Sequence, residues 1–190
     1  MPAVSESADA VTAGRGCVRE LEDFDRVAHT YWPAVFRYAL ASLRDADAAA
    51  TLAQDCLLKA WNGRRSFRGE SSLRTWIMRI AVNLVRDYGR DRRLRFWRRV
   101  RGAGDTTEAE LLAGRELSPE ARAALQQQVA AVWAATAKLP ERQRTVFLLR
   151  FVEEMDLLEI AAAAGMAEGT VKAHLFRAVR SVREQMEERK

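Results

Sequence analysis

Apolar side chains fall at Leu21, Phe24, Val27, Tyr31, Val35, Phe36, Ala39, Leu40 and Leu43, steps of three and four that gather on one side of an α-helix. Pro33 inside this run predicts a kink or a break. Residues 46–61 repeat the pattern through Leu52, Cys56 or Leu57, Ala60 and Trp61. The stretch NGRRSFRGESS carries two glycines and several turn formers and predicts a loop. Ser71 or Ser72 can cap the helix that follows, whose inward stripe is Leu73, Trp76, Ile77, Ile80, Leu84 and Tyr88. These segments make a three-helix unit over residues 21–97.

The pattern dissolves over 98–120, where Gly102, Gly104 and Gly114 sit among acidic residues, so this span reads as a flexible linker. A second helical unit covers 121–190, with Val129, Val132, Trp133 and Leu139 as core positions and Pro140 opening the helix PERQRTVFLLRFVEE. In LLEIAAAAGMAEGTVKAHLFRAVR, two apolar-patterned segments flank Gly165, and small residues allow a close crossing; that is a helix-turn-helix. Its second helix keeps Val171, Leu175, Val179, Val182 and Met186 inward. Lys172, His174, Phe176, Arg177, Arg180 and Arg183 then face out, toward a major groove or its phosphates. No segment patterns as a strand. The predicted fold is all-α: two small helical domains joined by a flexible linker, behind a disordered tail at 1–20, with the helix-turn-helix in the second.

Charge sharpens the picture. The 190 residues carry a formal net charge of +5, but the distribution is uneven. Residues 1–63 hold nine acids and six bases, whereas 64–101 hold thirteen arginines against Glu70, Asp87 and Asp91. Such a block repels itself, and a phosphate backbone offsets that repulsion while releasing counterions. Cys17 and Cys56 are too few for a disulfide framework and do not join His29 and His174 in a ligand cluster, so neither a metal nor another cofactor is expected. Asp45, Asp47, Asp87 and Asp91 form no recognisable catalytic motif, and there is no P-loop or HExxH, which argues against an enzyme. No run approaches the roughly 20 apolar residues that cross a bilayer, and the start lacks the blocks of an export signal, so no membrane insertion is expected and a cytoplasmic location is.

Four stretches, QDCLLKAW at 54–61, FRGESSLRTWIMRIAVNLVRDY at 67–88, LPERQRTVFLLRFVE at 139–153, and EIA with GTVKAHLFRA at 159–178, together resemble the extracytoplasmic-function (ECF) group of bacterial sigma-70 family sigma factors. The resemblance runs from about Phe24 to Glu188. It implies a protein that binds core RNA polymerase, directs it to promoter DNA and helps to open the duplex, held in reserve by an anti-sigma factor.

It also implies site residues. Phe67, Ser71 and Ser72 would lie beside a flipped base of the minus-ten element, with Asn83 in the polar wall. By their outward helical positions, Arg74, Arg79, Arg86 and Arg90 would hold phosphates. Trp76 reads as core, and Asp87 either orients Asn83 or pairs with a neighbouring arginine. Gln54, Asp55 and Lys59 would contact the clamp of the largest polymerase subunit while Leu52, Leu57 and Trp61 pack inside, and LPERQRTVFLLRFVE would face the flap of the second subunit. Thr170, Lys172, Ala173, His174, Phe176, Arg177 and Arg180 would read the minus-thirty-five element.

Two departures stand out. The family's acidic pair before the leucine and glutamine of the clamp motif is replaced by Ala50 and Thr51, which predicts weaker core binding or a shift toward Asp45 and Asp47. His174 stands where arginine is common and Ala173 where serine is; an imidazole offers one contact per nitrogen rather than a guanidinium fork, so base preference there cannot be copied from relatives. The rival reading is a LuxR-type regulator, whose recognition helix TVKAH resembles, binding duplex DNA without polymerase.

Overall fold

The computed structural model describes residues 23–96 and 119–188, without the side chains of 91–96 and 119–126. The N-terminal tail and nearly all of the linker read from sequence lie outside the described residues. Seven α-helices and no strand are found among those described: α1 (Phe24–Leu43), α2 (Ala46–Gly63), α3 (Leu73–Phe96), α4 (Pro119–Ala137), α5 (Glu141–Phe151), α6 (Leu157–Ala164) and α7 (Glu168–Glu187). A single 3-10 turn, Arg64–Ser66, follows α2.

Helix starts follow local chemistry. Asp23 caps α1 by accepting from the Arg26 amide at 3.1 Å, and Asp45 caps α2 by accepting from Ala48 at 3.0 Å. Ser72 rather than Ser71 caps α3, its hydroxyl accepting from the Thr75 amide at 3.1 Å. Asp156 and Glu159 close a reciprocal capping box on α6, with bonds of 2.8 and 3.0 Å. Pro33 does not break α1, which runs on to Leu43. Both Pro33 and His29, whose carbonyl loses its helical donor, are exposed, so water can take that bond.

In the first unit α1, α2 and α3 pack on one another. Val27, Val35, Tyr38, Leu57, Leu73 and Ile77 are its buried centre, and the Cys56 thiol points at the Ile77 carbonyl 3.6 Å away. Burial pushes that thiol up to about 12, which leaves it unreactive at neutral pH. In the second unit α7 lies across α4, α5 and α6, burying Val171, Ala178 and Val182 against Val146, Leu148, Leu149 and Ile160. Gly165 ends α6 in the left-handed region at φ 63°, and its amide closes on the Ala161 carbonyl; this is the sharp turn of the helix-turn-helix.

The two units do not stand apart. α3 packs along α6, and α1 meets α5, so the buried residues of both form one continuous core. The sequence shows only half of α3's burial. Leu73, Ile77, Ile80 and Leu84 face α1 and α2 as expected, but Thr75, Met78 and Val82 form a second buried stripe on the opposite side of the helix. Across the α1–α5 contact the Tyr38 hydroxyl lies by Thr145 and Ser42 without a hydrogen bond of normal geometry to either, and burial raises it to about 12.

Neighbouring leucines give a direct check of this packing. Leu57 is 2% exposed and Leu58 is 49% exposed. Leu57→Ala should cost about 2 to 5 kcal/mol in urea unfolding, and Leu58→Ala less than about 0.5 kcal/mol. Equal losses would mean that α2 is rotated from the position described.

Candidate nucleic-acid and polymerase interfaces

The loop before α3 is tied down at both ends. Arg64 lies 4.0 Å over the Trp61 ring and donates to the Trp61 carbonyl at 2.8 Å. Gly69, at φ 72°, turns the chain back toward Ser72. This path drops Phe67 inward. It is 8% exposed, with its ring 5.3 Å from that of Trp76, so the side chain expected beside a flipped base is a floor under the loop in the unbound chain. Trp76 is half-buried against the core, as the stripe predicted. Ser71 and Ser72 remain at the surface of the loop, although the Ser72 hydroxyl is already engaged with Thr75 Oγ1 at 2.8 Å.

Along α3, Arg79, Asn83, Arg86 and Arg90 recur at steps of four, three and four and so form one row. Arg79 and Arg90 are exposed, Asn83 and Arg86 partly so. Arg86 donates to Oδ1 of Asn83, which orients the amide. Asp87 pairs with Arg90 at 3.9 Å and not with Asn83, a bond between exposed groups that contributes little to stability.

Arg74 behaves differently from the rest of the basic set. It donates to the Glu153 backbone carbonyl, and its guanidinium lies 3.5 Å from the Glu153 carboxylate. The same carboxylate takes two bonds from Arg37 of α1, at 3.2 and 3.0 Å. The Glu153 side chain is fully buried, while Arg37 and Arg74 keep more than a third of theirs in water. Burial raises the Glu153 carboxyl above its ordinary value of 4.5, and the two arginines pull it back only in part. A second link joins the same surfaces: Thr75, itself buried, lies 3.4 Å from Oε1 of Glu159. The capping groups of α3 and α6 therefore form one polar chain.

The recognition helix presents Lys172, Ala173, Phe176, Arg177 and Arg180 to solvent, with Thr170 and His174 partly covered. Its cations are held by their own helix. Lys172 pairs with Glu168 at 2.6 Å, Arg180 with Glu184 at 2.8 Å, and Arg177 donates to the Ala173 carbonyl at 3.0 Å. Partial burial, then Arg177 and Arg142, lower the His174 pKa below 6.5, so the imidazole is neutral at pH 7. On α2 Gln54, Asp55 and Lys59 are exposed, whereas Leu52, Ala53, Cys56 and Leu57 are buried. Asp45 spends its side chain on the α2 cap, and Asp47 is exposed.

Residues 27–95 match sigma-70 region 2, and residues 130–182 match sigma-70 region 4. The chain is 30% identical over 161 residues to the RNA polymerase sigma-H factor of Pseudomonas aeruginosa, covering 82% of this chain and 81% of that one. It is 26% identical over 166 residues to the ECF RNA polymerase sigma factor SigX of Bacillus subtilis, covering 87% and 84%. Its fold is similar to that of the sigma factor RpoE from Bartonella quintana, solved in complex with the anti-sigma factor NepR: TM-score 0.70 at 23% identity, over 87% of this chain and 98% of that one. The chain belongs to the ECF group of sigma-70 family RNA polymerase sigma factors, and its function is that of a sigma factor in transcription initiation. The region 2 match accounts for the front half of the chain, which leaves the LuxR-type reading without support. Among the described residues no helix is long and apolar enough to cross a membrane.

Sequence reasoning missed Arg37, Thr75, Glu153 and Glu159 as a group. Arg37 and Glu153 lie 116 positions apart, and nothing in either neighbourhood pairs them before the units dock. The Glu153 environment has a measurable sign. Because the folded chain holds this proton to higher pH than the unfolded chain does, its contribution to stability is full below about 4.5 and is lost as pH rises through the raised folded value. Glu153→Gln should therefore gain stability relative to wild type as pH rises through that window, read by urea unfolding at each pH. A difference that does not change with pH would contradict the burial described.

Proposed function

We propose that this sigma factor reads its promoter with two surfaces, the loop and basic row of α3 at the minus-ten element and α7 at the minus-thirty-five element, while α2 holds the polymerase. The observation that carries this reading is the row Arg79, Asn83, Arg86 and Arg90 beside the Ser71–Ser72 loop, cations for a phosphate chain next to polar groups for a base edge. The core-binding surface is Gln54, Asp55 and Lys59 on the clamp of the largest subunit, with the α5 segment toward the flap of the second subunit. Once parted on the polymerase, residues 21–97 and 121–190 act as separate modules joined by the 98–120 linker, so modest affinities combine through effective concentration. The protein works in the cytoplasm without a catalytic residue or cofactor of its own. The sigma factor RpoE of similar fold was solved in complex with an anti-sigma factor, which supports the same kind of partner here.

Reconstituted transcription tests the whole reading: purified chain and bacterial core polymerase on a genomic fragment library, with transcript starts sequenced. New starts sharing two spaced upstream motifs are expected; duplex binding without any start would refute the sigma role. On a promoter so found, Asn83→Ala should impair opening and spare core binding. Arg177→Ala should weaken upstream binding by about 1 to 3 kcal/mol if it contacts a base.

The missing acidic pair gives a separate test. Ala50→Glu with Thr51→Asp should tighten core binding, measured by competition for core polymerase against the wild-type chain. Equal affinity would show that the α2 surface compensates elsewhere.

A further inference from the structure

We infer that Glu153 is the tongue of an internal latch that holds the two units closed and withholds Arg74 from DNA until the units part. The inference rests on the minus-ten phosphate role that the family resemblance implies for Arg74, within the proposed function. Four contacts form it. The Glu153 carboxylate accepts from Arg37 and lies beside Arg74, its carbonyl accepts from Arg74, and Thr75 meets Glu159 in the first turn of α6. All four join the α5–α6 corner of the second unit to α1 and α3 of the first.

The turn that supplies Glu153 is shaped to aim it. Its amide and that of Met155 return to carbonyls of α5 at 3.2 and 3.0 Å, Arg150 donates to the Met155 carbonyl at 2.9 Å, and Glu154 takes a left-handed φ of 53°. Glu154 faces solvent while Glu153 is fully enclosed, so of two adjacent carboxylates the geometry selects one for burial. Arg74 then has one guanidinium and two anionic claimants: the Glu153 carboxylate in the closed chain, or a nucleic-acid phosphate in the open one. A carboxylate whose burial is only partly offset by its arginines makes a closure that a competing anion can exchange.

Charge reversal on either side of the latch tests this in the full chain. Spin labels at His29→Cys and Arg183→Cys, both exposed and on different units, report the separation, with Cys17→Ser removing the second native cysteine and Cys56 left buried. The wild-type background should give one short, narrow distance distribution. Glu153→Arg and Arg37→Glu should each give a longer and broader one, with helical content by circular dichroism unchanged, and combining the two should restore much of the closed population.

Binding of fluorescein-labelled oligothymidylate reads the masking. If about nine molecules in ten are closed, opening should raise apparent affinity about tenfold. Arg37→Glu is the decisive variant, because it removes positive charge from the chain and is still expected to bind the strand more tightly. Unchanged distances in both single variants would overturn the latch. Parted units with no gain in strand binding by Arg37→Glu would overturn the masking of Arg74 and, with it, the minus-ten role assigned to that residue, whereas the transcription test of the sigma role is independent of both.

Discussion

One carboxylate, that of Glu153, sits without solvent contact between two arginines of the other helical unit, and the arrangement of the whole chain turns on how that charge is satisfied. An isolated buried carboxylate would be costly; a paired one is tolerated when its remaining lone pairs also find donors. Here Arg37 supplies two bonds and Arg74 a third contact, so α1 and α3 must both stand beside the α5–α6 corner. The buried stripe of Thr75, Met78 and Val82 on α3 then lies against α6, and the two units share a core. Ion pairs fix the register and apolar burial supplies most of the cohesion.

The same arrangement places the two proposed nucleic-acid surfaces under unequal constraint. The recognition helix keeps its cations on the surface in i to i+4 pairs and a side-chain bond to its own backbone, interactions that cost little to break when a phosphate arrives. The N-terminal end of α3 is instead part of the contact between units. Ser72, Thr75 and Glu159 bond in sequence, and the chain continues through the Asp156 amide into the cap of α6. Two helix termini, each with orphan amides to satisfy, are thereby joined through one set of side chains.

Much of this was legible in the sequence because it is local. Helix periodicity, a serine cap at 71 or 72 and the sharp turn at Gly165 are decided within a few residues of where they occur. The outward positions of Gln54, Lys59, Arg79 and Arg177 follow from the same spacing. What could not be read is what depends on the second unit. The stripe Leu73, Ile77, Ile80 and Leu84 already accounts for a one-sided helix, so nothing announced that Met78 and Val82 would be buried as well. Phe67 was placed by analogy with a bound state, whereas its position in the unbound chain is set by the turn at Gly69 and the ring of Trp76. Pro33 leaves α1 unbroken, and the pattern alone does not say that the orphaned carbonyl lies on the wet side of α1.

Arg74 carries two obligations on a single side chain. A lysine there would keep the charge but lose the planar fork that reaches both the Glu153 carbonyl and its carboxylate. With the proposed minus-ten role, drift at this position is restrained from two directions, by the partner inside the molecule and by the strand outside it. A change that suits one is tested at once against the other, so divergence among close relatives should move residues 37, 74 and 153 together rather than singly.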